Sequence, residues 1–192
     1  FGGIDDWVAG IDEYAKSRPD ADIIFGYGFL ASTFGPKGPT RQLIDAIVPD
    51  RPVLIMDEGF HGAWANSAAL ELLNISQDTA DPVPGYSYYK RDENGDATGY
   101  LLEGTAGQAV AALDIINDDE VTQGTKLVID IMNSYGVTAA FDAGDRGEPE
   151  RSVRILEDIA SSGDLTLRIV GAVFAKGDDS PAESVAIAAR WR

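Results

Sequence analysis

Four short apolar runs along the chain are predicted to be buried strands. They cover residues 22–26, 52–57, 137–142 and 167–174, and stretches with the hydrophobic spacing of helices separate them. Strands that alternate with helices form parallel pairs, because a parallel connection needs a long crossover. We therefore expect an α/β fold in which the four strands lie side by side in one parallel sheet.

Helical stretches fill most of the remaining chain. Their apolar residues recur at three- and four-residue intervals, and the last stretch has Ser180 as a suitable N-cap, followed by Pro181 at the first helical position. The predicted helices cover residues 4–17, 40–47, 66–73, 107–116, 121–135 and 149–161, with a terminal helix after residue 180.

Residues 86–91 and 98–102 are predicted to pair as a β-hairpin. An acidic turn that contains Asn94-Gly95 lies between them, and Asn-Gly supplies the positive φ values that a tight turn needs. We expect the hairpin to be an insertion that lies outside the main parallel sheet. It would bring Glu103, which follows its second arm, back toward the ends of the sheet strands.

Composition and charge narrow the range of partners. The 192 residues are 44% hydrophobic and 24% charged, as in globular proteins, and the formal net charge is −17. Such an acidic surface repels phosphate backbones and anionic lipids, so we expect neither a nucleic acid nor a membrane as partner. The chain contains no Cys and a single His, His61, which excludes thiolate metal sites and any site that needs two imidazoles of one chain.

The predicted strand ends concentrate polar residues, and ligands commonly bind at the carboxyl edge of a parallel sheet. Asp57 and His61 bracket a loop after the second strand, and Trp64 and Asn66 follow. These four side chains could form a pocket rim where Asp and His handle protons, Trp stacks and Asn orients a carbonyl. The alternative is an ordinary loop in which Asn66 or Ser67 caps the next helix.

Two further positions have both a functional and an ordinary interpretation. Glu103, at the end of an apolar strand, could ligate a metal or could simply face solvent. Asp142 and Asp145 flank Gly144 beyond another strand, where they could be acidic ligands or ordinary turn residues. The residue pattern alone leaves these alternatives open.

Five blocks of residues carry a resemblance to a known family. They are Pro39-Thr40-Arg41-Gln42-Leu43-Ile44-Asp45, Pro49-Asp50-Arg51-Pro52-Val53-Leu54, Asp57-x-x-x-His61-x-Ala63-Trp64-x-Asn66-Ser67-x-Ala69-Leu70, Arg91-Asp92-x-x-Gly95-x-x-Thr98-Gly99-x-Leu101-x-Glu103, and Gly136-Val137-Thr138 leading to Asp142. In this order they resemble the amidohydrolase-3 group, the YtcJ-like branch of the amidohydrolase superfamily. That branch includes N-substituted formamide deformylases and proteins described as exoenzyme regulators.

The resemblance implies a metal-dependent hydrolase on a (β/α)₈ barrel, of which this chain would be a partial TIM barrel with parallel strands and a β-hairpin insertion. Such enzymes hold one or two divalent metals, zinc or similar, at the strand ends. A metal-bound hydroxide then attacks the carbonyl of a small amide-type substrate. The resemblance also implies that Glu103 serves as a metal ligand or bridge and that His61, Trp64 and Asn66 lie at the substrate pocket. We expect Asp57 and Asp142 at the same pocket.

The chain departs from the family where most metal ligands are expected. The N-terminal His-x-His pair and the later histidines are absent, and Phe141 stands where family members commonly have a His before Asp142. Both ends look truncated, since the chain starts without Met and stops inside a helical pattern. We therefore expect residues 1–192 to be one segment of a hydrolase barrel, without a complete catalytic set, that alone holds no tightly bound metal and hydrolyses no substrate.

Two expectations remain. The alternative function is a non-enzymatic regulatory or binding module on the same fold, since the family includes exoenzyme regulators. A partial barrel would also leave sheet edges open, and unpaired backbone groups on residues 22–26 or 167–174 would seek a partner. We therefore expect a homodimer that forms through the open barrel face.

Overall fold

The computed structural model describes residues 2–143, 149–172 and 180–190. The chain divides into two compact units, Phe1–Ile115 and Ile116–Arg192, and each unit is described by itself. The described residues form a mixed α/β structure that contains both parallel and antiparallel strands.

The first unit is a five-stranded sheet whose two faces pack against helices. A 3₁₀ segment, Ala31–Lys37, follows the first strand. The strands are β1 (Ile24–Phe29), β2 (Val53–Asp57), β3 (Gly62–Ala65), β4 (Tyr88–Arg91) and β5 (Ala97–Leu102), and the helices are α1 (Ile4–Ser17), α2 (Arg41–Asp45), α3 (Ser67–Leu72) and α4 (Gly104–Ala112).

The strand order across this sheet is β1-β2-β3-β5-β4. β1 runs parallel to β2, as the sequence predicts, with Ile24 opposite Val53. The other neighbouring pairs, β2–β3, β3–β5 and β5–β4, are antiparallel. β1 and β4 are therefore the two edges of the sheet.

The predicted hairpin forms, but its predicted place outside the main sheet is wrong. β4 and β5 pair around the Asn94-Gly95 turn, where Gly95 has a φ of 87°. β5 also pairs with β3, a strand that the sequence analysis missed, so the hairpin joins β1 and β2 in one sheet. β3 escaped prediction because it has only 4 residues, Gly62–Ala65, and so short an apolar run shows no periodicity.

β2 is the buried centre of the first unit, since all five of its residues are buried. Successive side chains of a strand point to opposite faces. Leu54 and Met56 pack with residues of α3 and α4 on one face, and Val53 and Ile55 pack with residues of α1 and α2 on the other. Each side chain of this size stabilises the fold by about 1.5–3 kcal/mol when fully buried, so β2 is a firm support for the residues at its end.

The described residues of the second unit form a short parallel strand pair and three helices. α5 begins at a capping box in which Asn117 and Glu120 each bond the other's backbone N–H. The core of the second unit consists of Ile129, Ile155, Ile159 and Leu167. The elements are α5 (Asp118–Ser134), β6 (Ala139–Asp142), α6 (Pro149–Ser161), β7 (Arg168–Gly171) and α7 (Pro181–Arg190), and β6 runs parallel to β7.

The parallel pairing predicted from the sequence is present within both units. The β1–β2 and β6–β7 pairs are each parallel, but the described strands place them in two different sheets, of five and two strands, and not in one sheet of four. The last part of the strand predicted over residues 167–174 lies outside the described residues. Within the described ranges, no helix is both long enough and apolar enough to cross a membrane.

Candidate functional site

Three of the predicted site residues meet at one end of the five-stranded sheet. Asp57 is the last residue of β2, His61 directly precedes β3, and Glu103 directly follows β5. β3 lies between β2 and β5, and Gly62 at its start is opposite Leu102 at the end of β5. This register brings His61 next to Glu103 although 42 positions separate them in the sequence.

His61 and Glu103 make contact through both backbone and side chain. The backbone N–H of Glu103 donates to the carbonyl oxygen of His61 at 2.6 Å, and Nδ1 of His61 lies 2.9 Å from Oε2 of Glu103. With the proton on Nδ1, the imidazole donates to the carboxylate and Nε2 carries the lone pair. The side chains are 68% and 30% exposed, so solvent and small molecules can reach the pair.

Asp57 shapes the turn that carries His61. The residue is only 7% exposed, and its Oδ1 accepts hydrogen bonds from the backbone N–H groups of Gly59, at 3.1 Å, and His61, at 2.9 Å. Its carbonyl oxygen accepts a third bond from the N–H of Phe60 at 3.2 Å. The carboxylate therefore fixes the path of the chain into β3, and with it the position of the imidazole.

The backbone of Glu103 is strained. Its φ of 56° and ψ of −127° lie in a region that glycine adopts readily and that residues with a Cβ avoid. A conformation of this kind costs about 1–3 kcal/mol, and such costs concentrate at functional sites. Glu103 is also the N-cap residue of α4, but its side chain makes no capping bond, and the carboxylate turns to His61.

Tyr100 places a phenol beside the same end of the sheet. Its ring lies against Gly38 and Gly62, and a Cβ at Gly62 would come within 2.8 Å both of the ring and of Oδ2 of Asp57. Burial raises the pKa of the phenol, and the negative charge of Asp57 and of neighbouring groups raises it further. Tyr100 is therefore a protonated hydrogen-bond donor at neutral pH.

Trp64 lies in the core of the first unit. Its side chain is fully buried, and its Nε1–H donates to the carbonyl oxygen of Thr40 at 2.9 Å. The indole meets the rings of Phe34 and Phe29 edge to face, with centroids 5.0 Å and 6.0 Å away. These contacts attach the segment before α2 to the sheet, so the structure gives Trp64 a packing role.

Asn66 is also fully buried, and its side-chain amide is saturated with hydrogen bonds. Oδ1 accepts from the N–H groups of Val53 and Ala69, both at 2.9 Å, and Nδ2 donates to the carbonyl oxygens of Val48 and Arg51, both at 2.8 Å. The bond from Ala69 makes Asn66 the N-cap of α3, which is the ordinary alternative left open by the sequence. A pocket role for Asn66 stays a prediction.

Asp142 belongs to the second unit, where it is the last residue of β6 and is exposed. The other two residues of its predicted turn, Gly144 and Asp145, lie outside the described residues. The pocket role of Asp142 therefore also stays a prediction.

The described residues do not make up a complete metal centre. Among them, no group of three or more His, Asp and Glu side chains is arranged so that it could hold a metal ion. A zinc site takes three or four protein ligands. His61 and Glu103 together offer one imidazole and one carboxylate, which fits part of such a site and no more.

Two features of this region were not predicted from the sequence. One is Tyr100, and the other is an exposed aromatic pair, Tyr27 and Phe60, whose ring centroids are 5.9 Å apart. A signal for the pair was present, because each ring is next to a glycine at a strand end, Gly28 and Gly59. A large exposed aromatic side chain beside a glycine near a strand end is therefore a further candidate for ligand contact.

Comparison with known proteins shows which family the chain matches and which proteins it resembles. The model of the Amidohydrolase family matches residues 2–192. The exoenzymes regulatory protein AepA of Pectobacterium carotovorum subsp. carotovorum is 33% identical over 135 residues, which cover 69% of this chain and 29% of that protein. The N-substituted formamide deformylase of Arthrobacter pascens is 27% identical over 164 residues, which cover 84% of this chain and 30% of that protein.

Solved structures share the fold. The crystal structure of an uncharacterized metal-dependent hydrolase from Pyrococcus horikoshii OT3 matches with a TM-score of 0.54 and 24% sequence identity, over 89% of this chain and 31% of that one. At this identity the likeness shows the fold alone. The chain spans about 30% of the length of these relatives.

Proposed function

The chain belongs to the amidohydrolase family, and we propose that it forms the strand-end region of a metal-dependent hydrolase that cleaves the C–N bonds of amide-type or formamide-type compounds. It spans about 30% of the length of its relatives. We therefore propose that the chain contributes part of an active site and that a longer protein carries out the reaction.

The contact between His61 and Glu103 carries this proposal. The pair lies at the end of β2, β3 and β5, is open to solvent, and depends on a strained backbone at Glu103. The start of α4 does not depend on the side chain of Glu103, because this side chain makes no capping bond. The strained conformation also makes the turn that begins α4, and because it falls in a residue that holds an imidazole, it supports a functional role.

The residues of this chain can position a substrate and handle its protons. Glu103 orients the imidazole of His61, and Asp57 holds the turn that carries it. Tyr100, which keeps its proton, could donate a hydrogen bond to the carbonyl oxygen of an amide as negative charge develops there. These are roles in binding and orientation, which need no group beyond the described residues.

The proposed cofactor of the longer protein is a divalent metal, zinc or similar. The described residues bring together two donors at this site, His61 and Glu103, which is too few for a catalytic metal. No step of the reaction is therefore assigned to a metal bound by this chain alone. We propose that the 192 residues by themselves hold no stoichiometric zinc and hydrolyse no amide.

The proposed substrate class rests on one relative. The N-substituted formamide deformylase of Arthrobacter pascens has a C–N bond in the substrate that its name gives, and it covers 84% of this chain. The candidate site contains groups suited to a neutral amide, namely a phenol donor and a carboxylate–imidazole pair. A small amide or formamide is thus the partner that we propose.

A partial TIM barrel is the proposed architecture. The two parallel pairs, β1–β2 and β6–β7, and the likeness to a metal-dependent hydrolase support it. The antiparallel strands β3, β5 and β4 would then be the insertion of the barrel. A crystal structure of the longer protein in which β1, β2, β6 and β7 are not strands of one barrel would contradict this architecture.

A regulatory module is the second candidate. AepA, which is 33% identical over 135 residues, is an exoenzymes regulatory protein. Such a module would keep the fold without the metal chemistry. It predicts that the product of the whole gene carries no stoichiometric metal and hydrolyses no amide.

Metal analysis and an amide hydrolysis assay, applied in parallel to the 192-residue chain and to the product of the whole gene, test the proposal. We expect zinc and formamide hydrolysis in the whole product and neither in the chain. In the whole product, Glu103→Gln should lower kcat/KM by about 10–100-fold, the range typical when a group that supports a metal site is changed. Glu71→Gln, on the exposed surface of α3, is the matched control. Full activity of the Glu103→Gln product, or one tightly held zinc and hydrolysis in the chain alone, would overturn the proposal.

A further inference from the structure

Two exposed aromatic rings lie together at the end of β1 and β2. The rings of Tyr27 and Phe60 stack with centroids 5.9 Å apart and planes at 25°. Tyr27 is 68% exposed and Phe60 is 61% exposed. We call this pair the aromatic platform. Large apolar surface left in water is unfavourable, so two adjacent rings in this state need a reason.

An irregularity in β1 turns Tyr27 outward. The pairing of β1 with β2 shifts register between Tyr27 and Phe29, and Gly28 between them has a φ of 105°. Because of this shift Phe29 returns to the core, where it is fully buried, while Tyr27 stays exposed. β-Bulges of this kind occur next to active sites, where they re-aim a side chain.

Phe60 is held outward by a strained turn. Its φ is 58°, in the left-handed region that a bulky residue with a Cβ rarely adopts. The bonds from Gly59 and His61 to Oδ1 of Asp57 keep the turn in this conformation. Burial of the phenyl ring does not offset the strain, since most of the ring is exposed. Strain without a packing gain points to a function of the ring itself.

The platform borders the candidate site along the chain. Phe60 directly precedes His61, and the imidazole of His61 contacts Glu103. Tyr27 also lines a cleft of about 610 Å³ between α1 and β1, together with Trp7 and Ile55. A cleft of this volume is within the range of small-molecule sites. An extended substrate could therefore place its amide at His61 and an apolar group on the platform.

We propose that the aromatic platform of Tyr27 and Phe60 binds an aryl group of the amide substrate and makes the site selective for aromatic over aliphatic substituents. The inference rests on the proposed function only in taking the substrate to be an amide. Stacked aromatic rings gain stability beyond the area that they bury, because the ring quadrupoles attract in offset and edge-to-face geometry. A saturated ring of the same size buries similar area without that gain.

A binding experiment on the metal-free 192-residue chain tests this selectivity. The probes are N-phenylformamide and N-cyclohexylformamide, which share the formamide group and the ring size and differ in aromaticity. Backbone amide shifts in NMR titrations would report the site and the Kd of each probe. We expect shifts in residues 26–28 and 59–62 and an affinity for the phenyl compound about fivefold higher.

Three variants assign the preference to the platform. Tyr27→Leu and Phe60→Gly should each abolish it, and Phe60→Gly should fold readily because glycine tolerates the positive φ. Tyr86→Leu is the matched control, since Tyr86 is a 63% exposed tyrosine outside the platform, and it should keep the preference. Equal affinity for the two probes, shifts confined to other residues, or a preference that survives both platform variants would overturn the inference.

The result is separable from the proposed function. A phenyl preference in the chain, combined with a whole gene product that hydrolyses no amide, would keep the platform and refute the hydrolase. Hydrolysis by the whole product, combined with equal affinity for the two probes in the chain, would keep the hydrolase and refute the platform.

Discussion

Glu103 approaches His61 twice, with its backbone N–H 2.6 Å from the carbonyl oxygen and its Oε2 2.9 Å from the imidazole Nδ1. The first bond extends the pairing of β5 with β3 by one residue. This extension places the side chain of Glu103 beside that of His61, where the second contact forms. Glu103 makes both contacts in a strained backbone conformation, because the chain turns sharply there to begin α4. The backbone bond is thus part of the sheet, and the side-chain contact forms beside it.

The strain at Glu103 predicts an unusual order of stability. Glu103→Gly and Glu103→Ala both remove the carboxylate, but only glycine relieves a φ of 56°. We expect Glu103→Gly to be about 1 kcal/mol more stable than Glu103→Ala in urea unfolding, at the lower end of the cost of such conformations. Equal stability of the two variants, or a more stable Glu103→Ala, would show that Glu103 is not strained.

Asn66 should be one of the most sensitive positions of the first unit. Asn66→Ala leaves the buried N–H of Val53 and the buried carbonyl oxygen of Val48 without the amide partner that they now have. Buried groups left unpaired cost about 1–3 kcal/mol each, so we expect a loss of several kcal/mol in the free energy of unfolding. Asn117→Ala, at the exposed N-cap of α5, is the matched control and should cost about 1 kcal/mol. Similar losses for the two variants would contradict the buried network.

The raised pKa of Tyr100 predicts a stability loss at alkaline pH. The folded chain binds the phenol proton more tightly than the unfolded chain, whose phenol has the ordinary value of 10.0. The resulting stabilisation is complete below that value and is lost as the pH rises through the folded pKa. We expect the unfolding free energy of the wild type to fall from about pH 9 to about pH 11 by more than that of Tyr100→Phe. Parallel pH profiles would contradict the effect.

Much of the first unit follows from its apolar runs. The parallel pair β1–β2 is predictable because each strand is an apolar segment between helical stretches, and the hairpin is predictable from Asn94-Gly95. The place of the hairpin was not predictable, since it depends on β3, whose 4 residues carry no period. Without β3, the sequence gives no reason to place the end of β5 beside His61.

The candidate site was predictable in residue types but not in roles. Asp57, His61 and Glu103 were identified, whereas their grouping depends on the β3–β5 register. Trp64 and Asn66 look like pocket residues in the sequence. The structure shows both buried and hydrogen-bonded to loop carbonyl oxygens, and their pocket role stays a prediction. A residue type shows which chemistry a side chain can perform. Its burial in the structure shows whether that side chain can reach a ligand.

The open edge of β1 predicts self-association. Among the described strands, β1 has a neighbour on one side only, so part of its backbone hydrogen-bonding capacity faces outward. A net charge of −17 on each copy opposes dimerisation, and salt screens this repulsion. We therefore expect light scattering to show more dimer at about 0.5 M salt than at about 10 mM salt. A monomer at high protein concentration in both buffers would contradict the expectation.

We propose that His61 and Glu103 act together as the functional pair of this chain. Zinc titration followed by ¹⁵N NMR of the imidazole tests it most directly, because His61 is the one histidine in the sequence and its signals need no assignment. Because two donors hold zinc only weakly, we expect excess zinc to shift these signals reversibly and to be lost on dialysis. We expect Glu103→Gln to weaken this zinc affinity by about tenfold or more and Glu71→Gln to leave it unchanged. Equal zinc affinity in the wild type and in Glu103→Gln, or no response of the imidazole to zinc, would contradict the claim.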